Sequence, residues 1–250
     1  MNALSGTRGV LRTFTDPGAL AAGAADAMVQ VARQQERFRL ALSGGHTPVD
    51  LYRTLASSEY RTQLDWNRVD VFFSDERAVA PDSVRSNYRT AHQTLLGPLG
   101  VPARNIHRME GERGDLLQAV DDYADAIASC FGITAHDDPP RFDLVLLGLG
   151  EDGHVASLFP GSPALAITDR WIAANTSPEG EQRITMTLPL INRARAVFFL
   201  VAGREKADVL ERVWRDSADS VRLPAQEVHL EEARPVWFVD REAAARLRVR

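Results

Sequence analysis

Glu151, Asp152 and His154 lie within one short stretch, and the chain around them is broken by Gly148, Gly150 and Gly153. An imidazole with a pKa near ~6.5 can take a proton from water and return it to a leaving group, and a carboxylate beside it can orient the ring. One other stretch suits an anion as well as it suits an ordinary strand-to-helix turn. Ser43-Gly44-Gly45-His46-Thr47-Pro48 joins an apolar run to a helix-start pattern, so free backbone N–H groups are reached past residues without side chains. Asp75, Glu76 and Arg77 follow a second apolar run, an arrangement that would equally fit a solvated loop. All 29 basic residues are arginine except Lys206, which makes the single ammonium group conspicuous.

Two familiar motifs are near matches and both fail on chemistry. Gly148-x-Gly150-x-x-Gly153 satisfies the dinucleotide fingerprint, but a pyrophosphate would have to lie against two carboxylates. The acidic residue expected about twenty positions on is also misplaced, because Asp169 precedes the next strand instead of ending it. Ala41-x-Ser43-x-Gly45 is one glycine short of a nucleophile elbow, and nothing local identifies its acid and base partners. Ser43 is better suited to holding a ligand or capping the turn.

The elements that must position these residues follow from apolar periodicity. Strands are expected at Phe38–Leu42, Val69–Phe73, Asp143–Leu147, Trp171–Asn175, Arg183–Pro189, Ala196–Ala202 and Val236–Val239. Asp16 and Pro17 open a helix that runs to about Glu36, and Thr47 caps another with Pro48 at its first position. Ser86 opens a helix that Gly97-Pro98 ends, and a longer one runs from about Asp115 to Phe131. A helical pattern resumes at Val155 after the glycine-broken turn, Lys206 falls on a first helical turn, and Asp240 caps a terminal helix. A polar, proline-rich loop beginning at His136 leads into the central strand. Alternating strands and helices imply an α/β chain with a mainly parallel sheet, helices on both faces, and a single domain over 1–250.

Composition narrows the function classes. With 44% apolar residues the chain can bury a core, and no apolar run approaches the length of a membrane span. A net charge of −5 offers no field for nucleic acid. Cys130 is the only cysteine, so a disulfide framework and a multi-cysteine metal site are excluded, and a cytoplasmic setting without a targeting segment is expected. The histidines at 46, 92, 107, 136, 154 and 229 show no ligand spacing, so no metal and no cofactor is expected.

Six segments taken together resemble the 6-phosphogluconolactonases, which share a three-layer αβα, modified Rossmann-like fold with the glucosamine-6-phosphate deaminases. They are LALSGGHTP at 40 to 48, FFSDERAV at 72 to 79, SNYR at 86 to 89, GLGEDGHVASLFPG at 148 to 161, RITMTLP at 183 to 189 and GREKA at 203 to 207. The resemblance implies hydrolysis of 6-phosphogluconolactone in the pentose phosphate pathway by a monomer or homodimer. It implies a ligand-binding loop at Gly44, Gly45 and Thr47 and an acidic-basic pair at Asp75 and Arg77. It also implies phosphate binding by Arg183 and Lys206 and a catalytic turn at Asp152 and His154. His46 stands where relatives often carry a small hydroxyl residue. The deaminases follow their catalytic histidine with a motif like AFNEP, whose glutamate assists proton transfer. Here the run is Ala156-Ser-Leu-Phe-Pro160, and the ring of Phe159 cannot relay a proton.

Overall fold

The computed structural model describes residues 2–6 (main chain only), 8–135, 137–215 and 222–247; His136 therefore lies outside the described residues. In chain order the strands and helices are β1 (Asn2–Gly6), β2 (Gly9–Phe14), α1 (Pro17–Arg33), β3 (Phe38–Leu42), α2 (His46–Ala56), β4 (Val69–Phe73), β5 (Asp75–Arg77), α3 (Asn87–Ala91), α4 (Gly97–Leu99) and α5 (Leu116–Phe131). They continue with β6 (Leu144–Leu147), β7 (Ile172–Thr176), β8 (Gln182–Met186), α6 (Leu188–Asn192), β9 (Val197–Val201), α7 (Ala207–Trp214) and β10 (Val236–Asp240). Seven strands form the main sheet in the order β1-β2-β10-β9-β6-β3-β4. Every neighbouring pair is parallel except β1 with β2.

Helices cover both faces of this sheet, which is why the central strands β6 and β9 are continuous apolar runs rather than half-polar ones. Alternate residues of β6 serve opposite cores. Leu144 and Leu146 pack with Leu20, Met28, Leu51 and Leu55 of α1 and α2, whereas Val145 and Leu147 pack with Val120, Ile127 and Leu210 of α5 and α7. β9 divides in the same way, Phe198 and Leu200 facing one side and Phe199 and Val201 the other. The result is an α/β fold with a mainly parallel sheet between helical layers.

The local signals held at most boundaries. Asp16 caps α1, accepting from the Ala19 N–H at 2.9 Å, and Asp115 caps α5 through the N–H groups of Leu117 and Gln118. Thr47 does not cap α2, however; Gly45 occupies that position with φ 100° and no side-chain bond. Gly97-Pro98 does not end its helical stretch either, because a π-type turn over His92–Leu96 shifts the backbone register before Pro98 and carries the stretch to Gly100. No helix starts at Val155: Ala156 is left-handed at φ 48°, and Val155 bridges back to Leu158.

A second sheet, β5-β8-β7, is antiparallel and stands apart from the main one. It makes Asp75–Arg77, a run that could have been a solvated loop, into a strand paired with β8 in the register Arg77↔Arg183. The expected strand at 183–189 is correspondingly shorter, because Pro189 enters α6 near its start.

Candidate active site

β3 pairs with β4 on one side and β6 on the other, and the chain leaves β3 for β4 before returning to build β6, β9 and β10 in the opposite direction. Connections that diverge in this way open a crevice at the carboxyl ends of the two central strands. Loop 43–47 follows β3 and turn 148–154 follows β6, so both glycine-bearing segments border that crevice. Asp75 and Arg77 come from beyond β4, and Lys206 from the turn after β9. The crevice is a cleft of ≈ 860 Å³. Gly44, Gly45, Thr47, Asp75, Arg77, Asp152, His154, Arg183 and Lys206, drawn from five separate segments, all line it.

His154 is held by its own turn. Asp152 Oδ1 accepts the His154 backbone N–H at 3.0 Å and lies 2.7 Å from Nδ1 of the ring. The hydrogen bond to the carboxylate places the proton on Nδ1 and leaves the lone pair of Nε2 available. The ring packs at 4.8 Å against that of Phe159 and covers Gly150, where any Cβ would collide with the imidazole. Phe159 therefore packs at an angle against the candidate base instead of sharing its proton. Partial burial raises the pKa of Asp152, but hydrogen bonds from the His154 ring and N–H outweigh it and hold the carboxyl below its usual range.

A buried polar frame supports the opposite wall, and most of it carries no obvious sequence signal. Asp75 Oδ2 accepts from Ser157 Oγ at 2.6 Å, and Asn87 Nδ2 donates to the Asp75 carbonyl at 2.9 Å. Asn87 Oδ1 accepts from Arg77 Nη1, also at 2.9 Å. The same amide lies against Gly44 so closely that a Cβ there would overlap it, which is a concrete reason for a glycine at this position of the loop. Glu76, only 3% exposed, points away from the cleft. Its carboxylate accepts from the N–H groups of Arg77, Asn87 and Tyr88 and from Ser86 Oγ, at 2.8–2.9 Å, so that it anchors the start of α3. The SNYR segment marked this region, but nothing local in it shows that Asn87 joins Arg77, Asp75 and the glycine loop.

Arg183 is half-buried beside Arg77, its cross-strand partner. Burial, together with the charges of Arg77 and Arg85, pushes its guanidinium pKa below the usual value, and Asp75 only partly offsets this. Glu181 pairs with both Arg85 and Arg183. The Nε atoms of Arg77 and Arg183 are buried and have no hydrogen-bond partner among the described residues. Lys206 stands across the cleft on a 3₁₀ turn, Arg204–Lys206, closed by its own N–H to the Gly203 carbonyl at 3.1 Å. The carboxylate of buried Asp240 accepts the Gly203 N–H and also caps the final 3₁₀ turn at Ala243, tying the lysine-bearing turn to β10.

Ser43 has no base beside it. Its Oγ makes a 3.4 Å contact with the Gly44 carbonyl, while its backbone N–H and carbonyl are bound by the Tyr52 hydroxyl. The turn after β6 also lacks the helix that would present N–H groups to a pyrophosphate, which removes the structural basis for the dinucleotide fingerprint.

Comparison with known proteins shows the family. The family model for glucosamine-6-phosphate isomerases/6-phosphogluconolactonase matches residues 16–237. The chain belongs to that family. A 6-phosphogluconolactonase from Synechocystis is 42% identical over 209 residues, covering 84% of each chain. Another from Nostoc is 38% identical over 217 residues, 87% of this chain and 88% of the relative. Among solved structures, the 6-phosphogluconolactonase of Trypanosoma brucei superposes with a TM-score of 0.84 at 28% identity, covering 95% of this chain and 98% of that one. No helix among the described residues is long and apolar enough to cross a membrane.

Proposed function

We propose that this chain hydrolyses 6-phospho-D-glucono-1,5-lactone to 6-phospho-D-gluconate in the oxidative pentose phosphate pathway, as one cytoplasmic domain spanning 1–250. The observation that carries the reading is the 2.7 Å contact of His154 Nδ1 with Asp152 in a cleft whose walls also bear Arg77, Arg183 and Lys206. One end of such a site suits an acyl carbon and the other a phosphate dianion.

In the proposed reaction, Nε2 of His154 removes a proton from water as the oxygen attacks C1 of the lactone. The tetrahedral oxyanion is stabilised either by Arg77 or by N–H groups of loop 44–47. It collapses by breaking the bond from C1 to the ring oxygen, and the imidazolium returns its proton to that oxygen as the C5 hydroxyl forms. Asp152 keeps the ring in the tautomer required at the start and offsets its charge in between. Arg183 and Lys206 are assigned to the phosphate, a role supported by the close approach of Arg183 to the like charge of Arg77 and by buried Nε donors without partners among the described residues.

Glucosamine-6-phosphate deamination is the alternative within the same fold, and the packing of Phe159 on His154 argues against it. The deciding experiment generates the lactone enzymatically from glucose 6-phosphate and follows its disappearance above the spontaneous rate, alongside ammonia release from glucosamine 6-phosphate. Wild type should accelerate only the first reaction, and His154→Gln should lower its kcat by about 10²–10⁴ with the fold intact. Unchanged turnover in His154→Gln, or ammonia release as the only activity, would refute the assignment.

A further inference from the structure

A second cluster of chemistry-bearing side chains lies at the opposite end of the sheet. Asp70, His107 and Cys130 each supply one donor atom, and the three atoms lie within 4.8 Å of one another. Asp70 is the second residue of β4, five positions before Asp75, which places the cluster about 16 Å from the cleft along an extended strand. None of the three lines that cleft.

The cluster is organised before any ligand arrives. The His107 N–H donates to the Val71 carbonyl at 2.8 Å, and its ring stacks on Phe72 with centroids 4.3 Å apart and planes within 11°. Its Nε2 is buried, without a hydrogen-bond partner among the described residues, and 3.9 Å from Asp70 Oδ1. That separation is too long for a hydrogen bond and only a few tenths of an ångström wider than the ~3.3–3.6 Å between two tetrahedral ligands bound at about 2.0–2.2 Å, which a small ring movement would close. Asp70 is 2% exposed, and both its oxygens are held by Arg37. Cys130, half-buried on the last turn of α5, brings the third donor. A cleft of ≈ 330 Å³ lined by Tyr88, Ile106, His107 and Arg108 reaches the imidazole from solvent.

We propose that Asp70, His107 and Cys130 form a binding site for one divalent transition-metal ion of the zinc type, joining β4, the segment at 106–107 and the end of α5. One sulfur, one nitrogen and one oxygen donor suit a borderline-soft tetrahedral ion and disfavour magnesium or calcium, with water completing the fourth position. Thiolate and carboxylate together balance the charge of a dication. Arg37 then acts as the outer partner that orients the ligating carboxylate. Arg39, whose guanidinium lies 4.7 Å from the Phe131 ring and acts electrostatically on Cys130, adds opposing positive charge. The site therefore depends on its sulfur ligand.

Cobalt(II) titration of the full-length protein tests this directly. One equivalent should produce a near-ultraviolet thiolate-to-metal charge-transfer band, which zinc displaces. Since the chain has a single cysteine, Cys130→Ser should abolish the band. His107→Gln should weaken cobalt binding about tenfold or more, the loss expected even for an outer-shell partner. Zinc should raise the Tm of wild type and not of Cys130→Ser, with circular dichroism of the metal-free variants checking that each is folded. Lactone hydrolysis should be the same in Cys130→Ser and in wild type with or without chelator. Absence of the charge-transfer band at one equivalent overturns the proposal, as does a band whose affinity is unaltered in a folded His107→Gln. Should His107→Gln not fold, a zinc-dependent rise in Tm that persists in Cys130→Ser overturns it equally.

Discussion

At the residue scale, the reaction proposed above turns on a single contact between Asp152 and His154. The carboxyl is held below its usual value, so its stabilising charge is fully present above about 3.8 and is lost only as the pH falls through that lowered value. Asp152 therefore remains ionised from pH 5 to 8, and a rate change in that window belongs to another group. A base must be neutral to accept a proton, so kcat/KM should fall on acidification, and the residual rate of His154→Gln should lack that limb. A pH–rate profile of the two proteins checks this. Asp152→Asn should lower kcat by roughly 10²-fold or more with little change in KM, because an asparagine amide can donate to Nδ1 and so favour the tautomer with its proton on Nε2. Wild-type turnover in Asp152→Asn would remove the orienting role from the mechanism.

At the element scale, the short helix α3 does more than its length suggests. Its N-terminus is held by buried Glu76 and Ser86, and its first residue, Asn87, links Asp75, Arg77 and the backbone at Gly44. Asn87→Ala should leave the fold intact while freeing Arg77 to rotate, raising KM for the phosphorylated lactone about tenfold. That is the effect of losing roughly 1.4 kcal/mol of ground-state binding. Steady-state kinetics will separate this from damage to the catalytic turn, which would appear in kcat. Glu76→Gln replaces an acceptor by a donor that faces N–H groups, and should cost about 1–3 kcal/mol in urea unfolding. The strands β3, β4, β6 and β9 were legible because β6 and β9 are uninterrupted apolar runs and β3 and β4 are runs broken by one charged residue, Arg39 or Asp70, each ended by glycine or by polar residues. The sheet β5-β8-β7 was not, since Asp75-Glu76-Arg77 has the composition of a loop and becomes a strand only when β8 pairs with it.

At the scale of the whole molecule, the strand order sets the cations on two sides of the cleft. Lys206 follows β9, while Arg77 and Arg183 lie on the paired strands β5 and β8 of the second sheet, which the chain enters from β4. Lys206→Ala and Arg183→Ala should each raise KM, and the double variant shows whether they grip one group. Strong non-additivity means a shared phosphate, whereas additive losses mean that each holds a different part of the substrate. Unchanged kcat/KM in both single variants would detach these residues from substrate altogether.

The sequence by itself determined which residues end the central strands, that the turn after β6 carries Asp152 and His154, and that both faces of the sheet are covered. Those features depend on apolar periodicity, capping and backbone freedom over a few neighbouring positions, which any short segment displays. Only the tertiary structure decided that Ser157 holds Asp75 from 82 residues away, that Arg183 lies opposite Arg77, and that Asp70, His107 and Cys130 converge. Such contacts join segments whose local signals are independent of one another, so they come into being only when the sheet order and the burial of the helices bring those segments together.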